Sequence, residues 1–167
     1  FMLSNSPTQT VGYEVKSKLT KVQHDIPLLS LGKTKNVHDL NEFAKENPVI
    51  LMLKYDGLTV ELIYNNGTLI QASTRGDGYI GEDITHNAKT FKNIPINIPY
   101  KGFLRVVGEA IIHKSDFQII NDNLPKGEKP YANVRNLASG SVRQLDSGVC
   151  AARNVAFMLW DVLEGLD

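Results

Sequence analysis

Lys54-Tyr55-Asp56-Gly57 follows directly on the apolar run Val49-Ile50-Leu51-Met52-Leu53, an order suited to covalent chemistry at an amine. A lysine attacks only as the neutral amine, and apolar surroundings or neighbouring cations lower its pKa toward usable values. Asp56 is placed to orient that amine, and Gly57 leaves room for a ligand close to the backbone.

Three further segments supply what such a nucleophile needs. Thr74-Arg75-Gly76-Asp77-Gly78 puts an arginine at a strand end, inside a glycine-rich loop. Its forked guanidinium suits phosphate or ribose oxygens. Gly108-Glu109 lies within an apolar strand, where a carboxylate must be paired or accept hydroxyl hydrogen bonds. Asn133-Val134-Arg135-Asn136 and Ser141-Val142-Arg143-Gln144 carry two arginines separated by eight positions. On a helix that spacing sets them about 80° apart, on neighbouring faces. Taken singly, each has a plainer reading: a solvated loop charge, an edge-strand glutamate, an exposed basic face.

The elements that must carry these residues follow from pattern. Asn36 caps a helix whose stripe is Val37, Leu40, Phe43 and Ala44, with Asp39 near its positive end and Pro48 ending it. Residues 49–56 read as a fully buried strand that delivers Lys54. Thr59 to Thr74 reads as a hairpin, Val60, Leu62 and Tyr64 alternating with polar neighbours and Asn65-Asn66-Gly67 making the turn. Leu104 to Ile112 is a strand. It leads into a helix starting at Ser115, which forms a capping box with Gln118. A short helix spans Asn136 to Asp146, and Val155 to Leu163 closes the chain as a strand. Strands joined mainly by hairpins imply an α+β fold of largely antiparallel sheets with helices packed on them.

Composition narrows the function. The 167 residues are 42% hydrophobic, enough for one sizeable core, and 18 basic residues balance 18 acidic ones. A free-standing DNA-binding domain is usually basic, so any grip on nucleic acid must be local or supplied elsewhere. The single cysteine, Cys150, excludes an intrachain disulfide and a cysteine-built zinc site, and reads as a small, part-buried apolar residue. No metal-ligand cluster stands out. No stretch is apolar and long enough to span a membrane, and Phe1 to Pro7 has neither the charge nor the apolar segment of an export signal. The expectation is a cytoplasmic protein, with no oligomer indicated.

Together these segments resemble the bacterial NAD-dependent DNA ligases, within their nucleotidyltransferase (adenylation) domain. The similarity runs from Ser6-Pro7-Thr8-Gln9 through His24-Asp25-Ile26-Pro27-Leu28-Leu29-Ser30-Leu31 to Lys54-x-Asp56-Gly57. It continues through Thr74-Arg75-Gly76-Asp77-Gly78 and Gly81-Glu82-Asp83-Ile84-Thr85-His86-Asn87. Gly108-Glu109, Asn133-x-Arg135-Asn136 and Ser141-x-Arg143-Gln144-Leu145-Asp146 complete the order.

The resemblance implies a ligase nucleotidyltransferase fold, related to the ATP-grasp type, with residues 1–20 an extended lead-in and 21–167 a partial adenylation domain. It implies that Lys54 attacks the α-phosphate of NAD, becomes a lysyl-adenylate, and passes AMP to the 5′-phosphate of nicked double-stranded DNA. Asp56 would assist at the lysine and Arg75 would hold the nucleotide. Glu109 would bind the ribose, Ser30 and Leu31 would line the nucleoside pocket, and Arg135 and Arg143 would engage phosphates. Magnesium would take part. DNA would be engaged through the full-length protein, in replication and repair. Two positions depart from the family: Met52 stands where a glutamate is usual and Val107 where an arginine is usual. The later motifs, with two further pocket lysines, are not in these residues, so the piece alone is expected to be inactive or very weak. Two alternatives are an ATP-dependent nucleotidyltransferase, which shares Lys-x-Asp-Gly, and a degenerate domain that binds a nucleotide or partner without reacting.

Overall fold

The structure, a computed structural model, describes residues 18–166. Its centre is a four-stranded antiparallel sheet in the order β3-β2-β5-β6, from β2 (Leu58–Asn65), β3 (Thr68–Thr74), β5 (Leu104–Ile111) and β6 (Ala156–Glu164). The hairpin forms where the alternation places it. Asn66 and Gly67 take positive φ angles of 49° and 80°, the left-handed pair a tight turn requires.

Even-numbered β2 residues Val60, Leu62 and Tyr64 point to one face, with Leu104, Val106 and Ala110 of β5. The helices cover that face. Ile84 and Ala88, at and within α2 (Thr85–Ala88), Leu137, Ala138 and Val142 of α4 (Val134–Val142), and Cys150 of α5 (Ser147–Ala152) complete the apolar core. Their burial supplies the main drive to fold. Tyr64, on the same face, donates its hydroxyl hydrogen bond to the Pro95 carbonyl at 2.9 Å, which satisfies the one polar atom it takes inside.

The opposite face is polar in a way the alternation alone does not reveal. Glu61 is buried there beside Ser73 and Arg105, with His24 packed over them. His24 follows β1 (Lys21–Gln23), which among the described residues pairs only with β4 (Ile80–Glu82) in a small second sheet. The odd-numbered residues of this face lead outward from the buried charges to Val107 and Glu109. One face builds the core; the other builds the site.

Several expectations change. Residues 49–56 are not a buried strand: they run without regular structure, and Val49 to Leu53 are all exposed, Leu51 completely. A continuous apolar run carries no period that separates a strand from an extended segment, and no strand among the described residues runs beside this one. The helix α1 (Val37–Ala44) forms, and Asn36 caps it by accepting the His38 N–H at 3.0 Å, but its apolar stripe is exposed. The helix α3 (Lys114–Asp122) begins one residue before Ser115, so no Ser115–Gln118 box forms; Gln118 donates instead to Asp122 at 2.8 Å. The predicted helix 136–146 stops at Val142, and a separate helix starts only at Ser147. Asn133 caps α4 by accepting from the Asn136 N–H, and Asp146 caps α5 by accepting from the Gly148 N–H. Most of the expected lead-in 1–20 lies outside the described residues, while the three-residue strands β1 and β4 carry too short a pattern to be foreseen.

Candidate functional site

Antiparallel order gathers the chemistry at one end of the sheet. β2 begins there, β3 ends there and β5 ends there, as the pairings Val60 with Thr74 and Leu58 with Ala110 show. Lys54 to Gly57 therefore enter, Arg75 leaves, and Glu109 sits in register with Thr59, all at the same rim. Arg135, in the first turn of α4, reaches this rim from beside the sheet.

Two connecting hollows occupy that rim. The smaller, about 220 Å³, is lined by Lys54, Asp56, Thr59, Arg75, Glu109, Arg135 and Arg143, among others. The larger, about 780 Å³, shares Lys54, Asp56, Arg75, Glu109 and Arg135 and extends past Leu28, Ser30, Leu31, Met52, Val107 and Trp160. Its volume suits a nucleotide-sized ligand. All the residues singled out by type and spacing line one or both hollows. Charge dominates the small hollow, and apolar side chains line much of the large one.

Glu109 anchors the lysine segment. Its Oε1 accepts the Gly57 backbone N–H at 3.1 Å and its Oε2 accepts the Thr59 hydroxyl at 3.1 Å. Gly57 is required for this approach: a Cβ there would collide with the Ala110 carbonyl oxygen. The glycine thus serves strand-to-segment contact rather than ligand access. Lys54 is exposed at the mouth of the hollows and not carried on a buried strand. Three arginines share its hollow.

Those arginines differ in their partners. Arg135 Nη1 donates to Asp56 Oδ1 at 3.1 Å, and both groups are exposed. Asp56 is therefore turned to the Arg135 cation. Arg143 Nε lies 3.2 Å from Glu82 Oε2. The half-buried Arg75 side chain forms no ion pair among the described residues, which leaves its guanidinium available to an anion.

The loop after Arg75 is held rigidly. Asp77 Oδ1 accepts the N–H groups of Ile80 at 2.8 Å and Tyr79 at 2.9 Å, and these hydrogen bonds hold its carboxyl below the usual carboxylate range. Gly76 has φ of 58° and lies against the Ile80 carbonyl, so the loop's glycines close its own turn. The loop then docks on the segment that carries Ser30 and Leu31. His24 N–H donates to the Tyr79 carbonyl at 2.8 Å and Leu28 N–H to the Gly78 carbonyl at 2.9 Å.

Beneath the loop lies the buried charge cluster. Both ring nitrogens of His24 face oxygens: Nδ1 lies 3.1 Å from Glu61 Oε2, and Nε2 lies 3.1 Å from the Thr74 carbonyl and 3.2 Å from that of Arg75. Arg105 donates to Glu61 at 3.2 Å and to Asp25 at 2.6 Å. Its Nε lies 3.4 Å from Glu164 Oε2, close enough for charge attraction but not aligned for a hydrogen bond. Burial opposes the Arg105 charge, yet the Asp25 hydrogen bond and the field of Glu61 outweigh it and hold the guanidinium above its ordinary pKa. Sequence reasoning missed Glu61 and Arg105. A carboxylate and a guanidinium within strands otherwise apolar were the available signal.

No group of three or more potential ligands gathers around a metal position among the described residues. Of the carboxylates in the small hollow, Asp56 is paired and Glu109 is met by two donors. The residues present do not by themselves fit a magnesium site. No helix among the described residues is long and apolar enough to cross a membrane.

Comparison with known proteins shows the family of the chain. The profile of the NAD-dependent DNA ligase adenylation domain matches residues 16–166. The DNA ligase of Lachnoclostridium phytofermentans is 49% identical over 97% of this chain, and that of Ruminiclostridium cellulolyticum is 51% identical over 93%. The DNA ligase of Malacoplasma penetrans is 42% identical over 95%. The aligned region is 25%, 24% and 24% of those three proteins, so the chain spans about a quarter of their length. With nearly every residue matched, the chain belongs to the family of NAD-dependent DNA ligase adenylation domains.

Proposed function

We propose that this chain binds the adenylate half of NAD in the rim hollows and takes AMP onto Lys54. The observation that carries the reading is the convergence of Lys54, Arg75 and Glu109 on one hollow from three separate strand ends. The Lys54 amine attacks the α-phosphorus, a P–N bond forms, and the bond to the bridging oxygen breaks. Nicotinamide mononucleotide leaves with the electron pair of that bond, and the amine gives up its proton. The adenylate then moves to the 5′-phosphate at a DNA nick, where the neighbouring 3′-hydroxyl displaces AMP and seals the strand.

In this reading Arg75, half-buried and in no ion pair among the described residues, meets the nucleotide. Glu109 presents carboxylate oxygen to the ribose from a position fixed by Gly57 and Thr59. Ser30 and Leu31 border the nucleoside, Asp56 orients the lysine, and Arg135 and Arg143 meet phosphates. Transfers of this kind rest on positioning and on stabilising charge, which a ring of fixed cations around one nucleophile supplies. The lead-in and partial-domain division belong to the same proposal, as do nicked DNA as partner, replication and repair as setting, and a cytoplasmic location. Magnesium enters no step derived from these residues.

Incubation with NAD labelled in its adenylate tests the reading. The expected result is a weak adduct that NAD forms, ATP does not, and Lys54→Ala abolishes. Label from ATP, or label that survives Lys54→Ala, would overturn it.

A further inference from the structure

We propose that Asn87, assisted by His86, is a positioning residue for Arg143, and that the segment from Glu82 to Asn87 acts as one brace for that arginine. The inference rests on the reading of Arg143 as a phosphate-binding residue.

Asn87 is fully buried, and its amide nitrogen donates to the Val142 carbonyl at 2.7 Å and to the Gln144 carbonyl at 2.7 Å. Those carbonyls belong to the two residues that flank Arg143. The neighbouring side chain, His86, adds a bond from Nε2 to the Gln144 carbonyl at 2.9 Å. The Val142 carbonyl is held before Arg143, and after it Gln144 is held at its carbonyl and through its N–H, which donates to the Ser141 carbonyl at 3.3 Å, so the direction in which Arg143 leaves the backbone is fixed. Five residues before Asn87, Glu82 lies 3.2 Å from Arg143 Nε and fixes the other end of the side chain. One short segment thus holds the arginine at its root and at its head.

Capping of α4 alone does not account for the arrangement. That helix ends at Val142, and only one of the two carbonyls Asn87 reaches belongs to it. Asn87 Oδ1 and His86 Nδ1 are buried without a hydrogen-bond partner among the described residues. A buried acceptor left unmet costs stability, so packing alone is a poor account of an asparagine at this place. What both residues do satisfy is the backbone around an exposed cation at the rim of the smaller hollow. Root fixation matters for a long, flexible side chain, because ordering it at the moment of binding weakens the grip it provides.

The test compares AMP with adenosine, each titrated into the whole chain by calorimetry, since only AMP has a phosphate for Arg143 to meet. Asn87→Leu, which keeps the volume and removes the donors, should weaken AMP by about tenfold, the loss of roughly one charge-assisted contact. It should leave adenosine unchanged within about twofold. Combined with Arg143→Ala it should add nothing further, because both changes remove one contact. Should Asn87→Leu fail to fold, His86→Phe keeps a ring, loses the donor to Gln144, and should show a smaller loss in the same direction. If the wild-type chain does not distinguish AMP from adenosine, the phosphate role of Arg143 falls and the brace with it. If it does distinguish them and the variants keep the full difference, or lose both ligands equally, the brace alone is overturned.

Discussion

Glu109 and Gly57 are joined across the sheet end: the carboxylate accepts the Gly57 N–H at 3.1 Å, three residues after Lys54. A side chain proposed to meet the ribose is thereby also the tether of the nucleophile's segment. Glu109→Ala removes the acceptor of two hydrogen bonds and should cost about 2 kcal/mol in urea unfolding. Glu109→Gln keeps an acceptor for Gly57, so stability should fall by less than about 1 kcal/mol. Adduct formation at Lys54 should still drop sharply in both, which separates the tether from the ligand contact.

Arg135 and Asp56 form the opposite case. Their ion pair is exposed on both sides, and such pairs contribute about 0–1 kcal/mol. Arg135→Ala should therefore leave the urea midpoint nearly unchanged. AMP affinity, measured by calorimetry, should fall about tenfold through loss of one phosphate-facing cation. An unaltered affinity would remove Arg135 from the site.

Much of this site was legible because its parts lie at strand ends. The alternation of Val60, Leu62 and Tyr64 and the Asn66-Gly67 turn define the hairpin, and the hairpin's ends place Thr59 beside Arg75. Asn36 was legible as a cap for the same kind of reason, a local bond made within two residues. The run 49–53 was not, since burial depends on what lies across from a segment and an apolar stretch does not encode that. Asp146 looked like a helix end because its bond to Gly148 belongs to the next helix. The roles of His24, Glu61, Arg105 and Asn87 depend on partners from 12 to 80 positions away, which no spacing displays.

Alkali should weaken the fold in a defined window. Burial pushes the Cys150 thiol from 9.0 up to about 11, opposed by a Thr90 hydrogen bond and the Arg153 charge, and pushes the Tyr64 hydroxyl from 10.0 up to about 12. Both folded-state values are raised, so the neutral groups contribute fully below the unfolded values, and that contribution is lost as pH rises. The unfolded chain releases these protons first. Stability should fall from about pH 9, with a slope approaching 1.4 kcal/mol per pH unit for each group in its own window. Tyr64→Phe should flatten the upper part between about pH 10 and 12, and Cys150→Ala the lower part. Urea midpoints across that range measure both.

The pair Arg105 and Glu61 should show how a buried charge resists removal of its partner. Arg105 is 3% exposed and Glu61 is 1% exposed, so neither charge can turn to water if the other is lost. Arg105→Met would leave Glu61 with only His24 and Ser73 as donors, and should cost about 3–5 kcal/mol. Replacing both, as Arg105→Met with Glu61→Leu, removes the stranded carboxylate and should recover part of that loss. Recovery should be incomplete, because His24 would then lose the acceptor at Nδ1 while its Nε2 still faces the Thr74 and Arg75 carbonyls. The same double variant should therefore loosen the backbone at Arg75 even where the fold survives. Amide hydrogen exchange at Arg75, whose N–H donates to the Thr59 carbonyl at 3.1 Å, reads that loosening directly. Faster exchange at Arg75 with native-like exchange in β2 and β5 is the expected pattern; uniform acceleration would mean that the cluster stabilises the fold without positioning the arginine.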